Sequence, residues 1–199
     1  MAAVPSSTLR RALTEHGGPD LPRLPERAEL LLMDLDAPPR LGAHLRAVHG
    51  VARELADWVR RSYGGAEFDP DAVLFGAATH DIGKVLHPEE LSGPGSAHEL
   101  AGYQLLLEHG VTAELARFAR THATWTEAVG LEDLLVSLAD KIWKGKRVPD
   151  LEHLVVRQLA AVGGEQPWQV FLALDDEFGR LAAGADRRLV FQSEYPIVT

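Results

Sequence analysis

Apolar residues recur three and four apart through almost the whole chain, and no stretch before Arg188 alternates as a strand would. Glu26 to Leu35 is a short helical stretch closed by Pro38 and Pro39, and Leu41, Leu45, Val48, Ala52, Leu55 and Val59 form a stripe between Arg40 and about Ser62. Gly64 and Gly65 end it. Asp69 before Pro70 is a capping residue before a helix start, and that helix runs to His80-Asp81. A loop follows from Pro88 to Gly95. Ser96, with Glu99 three residues on, has the pattern of a capping box. Thr112 opens a helix with Leu115, Phe118, Ala119 and His122 on one face, and Leu131 to about Trp143 is the next. The stretches Leu151 to Val162 and Trp168 to Ala183 complete the set. Their residues Trp168, Val170, Phe171, Leu174, Phe178 and Leu181 read as core packing or as the face of a homodimer. The pattern predicts an all-α domain, a single bundle of seven or eight helices over residues 26–185. It is flanked by an irregular, Pro- and Gly-containing segment 1–25 and an extended tail 186–199.

Composition limits the function. At 199 residues, 46% hydrophobic and 25% charged, the chain suits one soluble globular domain. It has no cysteine, which excludes disulfides, zinc–thiolate clusters and cysteine nucleophiles. A formal charge of -9 argues against nucleic acid or an anionic membrane as partner, while leaving room for a local basic pocket. No apolar run approaches the roughly 18 residues of a membrane span, and the start lacks the order of a signal peptide. A cytoplasmic location is expected.

The adjacent pair His80-Asp81 follows a small, apolar segment, Phe75 to Thr79, that can pack closely in a core. An ionised aspartate there is costly unless paired or metal-bound. Alone, the pair could be a satisfied polar contact. His49 lies on the apolar face of its helix, His98 faces inward with Ala101, Gly102 and Leu105, His122 continues a buried stripe, and Asp140 interrupts an apolar helix. One shared metal site satisfies all six. Imidazole with carboxylate suits borderline divalent metals. Of the other histidines, His16 reads as solvated, and His87, lying near the loop over the site, could touch substrate. His44, His109 and His153 show no partner pattern. His44 is five residues before His49 and so points elsewhere on the helix.

The runs Val48-His49-Gly50-Val51-Ala52 and His80-Asp81-Ile82-Gly83-Lys84, with Ala139-Asp140, resemble motifs of the HD domain superfamily over roughly residues 40–147. The resemblance implies an all-α fold and metal-dependent phosphohydrolase activity on nucleotides or related phosphate esters and anhydrides. His49, His80, Asp81 and Asp140 would hold one metal. His98 and His122 match the extra histidines of members that bind a second. Iron or manganese is expected, with zinc, cobalt, nickel or magnesium as alternatives. The run after Asp140, with Lys146-Arg147, resembles bacterial di-iron diadenosine tetraphosphatases, though the span from Asp81 to His98 is shorter here. His-Asp-Ile-Gly-Lys is shared with cyclic-di-GMP phosphodiesterases, whose extended Gly-Tyr-Pro motif is absent.

In such a site Asp81 bridges two ions, and water between them becomes a nucleophile near neutral pH. Lys84, three residues on, would neutralise charge on the transferring phosphoryl group. The basic run Lys141, Lys144, Lys146 and Arg147 either holds distal phosphates or caps a helix C-terminus. Arg53 is a further candidate phosphate contact, and Trp125 either stacks on a base or packs. The same ligand set would also suit a mixed-valent di-iron oxygenase acting on a phosphonate or polyol.

Overall fold

The computed structural model describes residues 7–15 and 21–197. Ten helices follow one another: α1 Ser7–Thr14, α2 Glu26–Asp34, α3 Pro39–Ser62, α4 Pro70–Thr79, α5 Ala97–Glu108, α6 Ala113–Thr121, α7 Leu131–Ile142, α8 Pro149–Gly163, α9 Pro167–Ala182 and α10 Ala185–Ser193. Two 3₁₀ turns, Ile82–Val85 and Pro88–Leu91, lie between α4 and α5. No strand occurs among the described residues, and none of their helices is long and apolar enough to cross a membrane.

The all-α expectation holds, and the eight helices read from the periodicity are α2 to α9. The two additional helices lie in the segments expected to be irregular and extended. In α1 the buried positions Leu9, Ala12 and Leu13 do have helical spacing, but the prolines and glycines of residues 1–25 obscure it. In α10 the buried positions Ala185, Arg188 and Phe191 do have helical spacing, but one of the three is an arginine. Residues 1–6, 16–20 (His16 among them) and 198–199 lie outside the described residues.

Buried arginines tie both ends to the core. Arg46 of α3 donates to the carbonyls of Ala12, Glu15, Leu21 and Pro22, so α1 and the chain after it clasp one side of α3. Arg188 of α10 donates to the carbonyls of Ile142, Trp143 and Leu181. Helix C-termini leave carbonyls without intrahelical partners. Arg188 thereby satisfies the ends of α7 and α9 together.

Helix α3 is the central element. It packs against α1, α4, α7, α9 and α10 and is buried along most of its length. Asp69 caps α4 as expected, its Oδ1 accepting from the amides of Asp71 (2.9 Å) and Ala72 (3.2 Å). The expected Ser96–Glu99 capping box does not form. Ser96 precedes α5 but makes no capping bond, and the Glu90 carboxylate accepts from the amides of Ala97 and His98 instead. On α9, Val170, Leu174, Phe178 and Leu181 are core residues, while Trp168 and Phe171 are exposed.

Candidate metal centre

Five elements converge on one point beside α3. Helix α4 brings His80 there because its last turns are narrow: a Cβ on Gly76 would sit 2.6 Å from the Phe118 ring. Beyond Thr79 the chain tightens, and Asp81 leads into the 3₁₀ turn Ile82–Val85. Gly83 then passes so close to the His98 carbonyl oxygen that no side chain could be accommodated. This contact sets the first turn of α5, and His98 with it, against Asp81. His122 caps the C-terminus of α6, Asp140 comes from the last turn of α7, and His44 comes from α3.

The six side chains are buried and divide between the two oxygens of Asp81. His44 Nε2 is 3.1 Å and His80 Nε2 3.7 Å from Oδ2, and both are within 3.8 Å of Asp140 Oδ1. His98 Nε2 is 3.0 Å and His122 Nε2 3.4 Å from Oδ1. The opposite ring nitrogens of His80, His98 and His122 are engaged, while Nδ1 of His44 is buried without a partner. His80 Nδ1 lies 3.0 Å from the Ala77 carbonyl, and His122 Nδ1 lies 3.2 and 3.1 Å from those of Phe118 and Ala119. His98 Nδ1 bonds Glu90 Oε2. Carbonyl and carboxylate oxygens only accept, so Nδ1 of these three rings carries the hydrogen; in the neutral ring Nε2 then presents a lone pair inward, and in the protonated ring it donates to the carboxylates. Nε2 of His44, His80 and His98 is buried without a hydrogen-bond partner. Convergent, partnerless lone pairs beside two carboxylates are the donor set a divalent cation requires. Burial alone would raise the pKa of both aspartates. For Asp81 the attraction of His80, His122, His44 and His98 outweighs it, and for Asp140 that of His80, Lys141 and His44. Both stay ionised, far below the usual carboxylate range.

The sequence reading named five of these six. His49 does not join the cluster; His44 takes the place expected for it. The two are five residues apart, about 140° around a helix. His49 instead lies on the side of α3 from which Arg46 reaches the 21–22 segment and where Gly50 packs on Leu21 and Pro22. A helix buried nearly all round has no unique inward face, so lying among apolar neighbours did not distinguish the two. The available signal was that His44 follows Leu41 by three residues and precedes Val48 by four, within the stripe itself.

The cluster forms the floor of a cleft of about 380 Å³. Lys84 enters it as expected, its Nζ 2.6 Å from Asp81 Oδ2; the 3₁₀ turn has three residues per turn and stacks position i+3 over i. Lys141 Nζ is 2.6 Å from Asp140 Oδ2, and Lys144 is at the exposed rim. Lys146 does not line the cleft. Arg147 is held by Glu152 and Asp175 and stacks on Phe178, which makes it a structural cation. Arg53 lines a separate surface hollow with Pro22, Gly50 and Glu54. Trp125 packs partly against the core, with Lys141 Nζ 5.8 Å from its ring. His87 pairs with Glu89 and lies outside the cleft. Sequence reasoning missed Glu90, which stands behind His98, and the α10 residues Leu189 and Gln192, which complete the cleft wall. They are brought in from remote parts of the chain and carry no motif.

The HD domain family matches residues 41–143, which contain all six clustered side chains. No curated protein and no solved structure matches the chain. Proteins with this domain bind divalent metals and are in general metal-dependent hydrolases, and the histidine–aspartate cluster fits that chemistry. By sequence match, fold and donor set together, the chain belongs to the HD domain family.

Proposed function

We propose that this site is the centre of a metal-dependent phosphohydrolase that holds two divalent cations and cleaves a phosphate ester or anhydride of a small metabolite. The observation that carries the reading is the split at Asp81. His44, His80 and Asp140 gather at Oδ2, and His98 and His122 at Oδ1. The first group with Oδ2 would hold one ion, and the second with Oδ1 the other. Iron or manganese suits this nitrogen and oxygen set. When bound, such ions polarise a phosphoryl oxygen and lower the pKa of water.

The protein's own groups supply the rest. Asp81, buried and ionised, fixes the spacing of the two donor groups by serving both. Lys84, Lys141 and Lys144 line the cleft in an acidic chain, and with Asp81 and Asp140 engaged by cations they would favour an anionic substrate. Lys84 is suited to offset charge that builds on the phosphoryl oxygens as the bond to the leaving group breaks. Nucleotides are one member of this substrate range.

The test is phosphate release from phosphomonoesters, mononucleotides, dinucleoside polyphosphates and cyclic nucleotides by protein loaded with manganese or iron, with oxygen consumption followed in parallel. Phosphate release that is abolished by Asp81→Ala is expected. Oxygen uptake on a phosphonate or polyol, without phosphate release from any ester, would overturn the hydrolase reading in favour of a di-iron oxygenase.

A further inference from the structure

The lysines account for a phosphate but not for what the phosphate is attached to. Two other polar side chains line the same cleft. Glu99 stands in the first turn of α5, and Gln192 in the last turn of α10, outside the stretch matched by the family. Both are half-buried, and neither side chain has a hydrogen bond or ion pair among the described residues. The contrast with the cations is clear, since Lys84 and Lys141 are each taken up by a carboxylate. Apart from imidazoles, the only ring in the wall is Trp143. It is 4% exposed, packs T-shaped at 4.8 Å on His44 and has Lys144 Nζ over its ring, so its face is not offered to a base. At about 380 Å³ the cleft is also near the small end of ligand pockets, roughly 300–1,000 Å³.

We infer that Glu99 and Gln192 read hydroxyl groups, and that the substrate is a compact polyhydroxylated phosphate monoester of the sugar- or polyol-phosphate type. This rests on the hydrolase reading. A carboxylate accepts from a hydroxyl, and a primary amide both donates to one and accepts from it. An ammonium group, which only donates, would leave the amide hydrogens of Gln192 unused. In turnover the oxygen of water bonds to phosphorus, the bond from phosphorus to the ester oxygen breaks, and that oxygen takes up a proton. Inorganic phosphate and the free polyol result, with no oxidant consumed.

The experiment compares kcat/KM for glycerol 3-phosphate with that for n-propyl phosphate, which has the same skeleton without the hydroxyls. Adenosine monophosphate, phosphoethanolamine and p-nitrophenyl phosphate complete the panel. Metal-loaded wild type is expected to favour glycerol 3-phosphate over propyl phosphate by about tenfold or more, because a site built to bond a hydroxyl rejects the analogue lacking it. Glu99→Ala and Gln192→Ala should each shrink that ratio severalfold, whereas Lys84→Met should lower both rates together. A ratio near one, a ratio that neither variant changes, or a preference for adenosine monophosphate or phosphoethanolamine would overturn the inference and leave the hydrolase reading standing. No phosphate from any ester, p-nitrophenyl phosphate included, would overturn both.

Discussion

Two ionised carboxylates in a nearly dry interior are sustained by the imidazoles around them, and three of those imidazoles, His80, His98 and His122, are oriented by their other nitrogen. Removing a donor from this set is therefore different in kind from removing a buried histidine elsewhere. His44→Ala is expected to abolish tight binding of at least one metal equivalent, read by metal analysis after gel filtration. His49→Leu should retain the full metal content. That second variant carries a separate signature. Burial, and then the charges of Arg53 and Arg46, hold the His49 pKa at about 4 against an ordinary 6.5. The unfolded chain binds this proton more readily, so stability rises with pH between these values. The contribution is whole above pH 6.5 and is lost as pH falls toward 4. Of the stability wild type loses between pH 7.5 and 5, about 2 kcal/mol should be absent in His49→Leu, measured by urea denaturation. An equal pH dependence in the two proteins would refute the assignment. Glu90 acts at the same scale, bonding His98 Nδ1 and two α5 amides. Glu90→Gln should weaken metal binding by about tenfold or more, as loss of an outer carboxylate does at histidine ligands.

Short elements set the geometry that the helices only approximate. The 3₁₀ turn after Asp81 puts Lys84 over the carboxylate and brings the Gly83 backbone against α5, two consequences of one tight turn. Gly83→Ala has to push α5 outward. It should cost about 2–3 kcal/mol by overpacking and separate Asp81 from His98, so thermal stability and metal content fall together. A fall in stability with unchanged metal content would mean that this contact does not position His98. At the far end of the site, α10 closes the C-terminus of α7 through Arg188. Arg188→Met leaves the Trp143 carbonyl without its donor in the core, while the Ile142 carbonyl keeps the Gly145 amide, an expected loss of about 2 kcal/mol by denaturant melting. Because Trp143 packs on His44, the same variant should also perturb the metal-dependent part of the stability.

For the whole molecule, metal binding and folding are one equilibrium. The six donors lie on five separate elements, α3, the end of α4, α5, α6 and α7, and come together only in the folded chain. A cation that binds them stabilises the native state by about 4 kcal/mol at a thousandfold excess over Kd. Chelation should lower the melting temperature by several degrees in wild type and much less in Asp81→Ala. Equal shifts in the two would place the metal elsewhere. The clasp of α1 and α10 on α3 and α7 makes this one cooperative unit, in which α1 supports the site from outside and α10 also adds Leu189 and Gln192 to its wall.

Helical periodicity, a local property, was sufficient to give the class and eight of the ten helices, because in each of those the apolar spacing is bounded by clear stops and starts rather than set among prolines and glycines. The His80-Asp81 pair, its neighbour Lys84, and the isolated His98, His122 and Asp140 were legible for the same reason: a polar group on an apolar stripe stands out against its own surroundings. What the chain buries around α3 was decided only in three dimensions. That packing chose His44 over His49, turned Arg147 into a structural cation, moved Arg53 to another surface, set Glu90 behind His98 and brought α10 to the cleft. Each of these outcomes depends on which distant segment covers a given face. In a helix covered on almost every side, spacing along the chain contains no record of that choice.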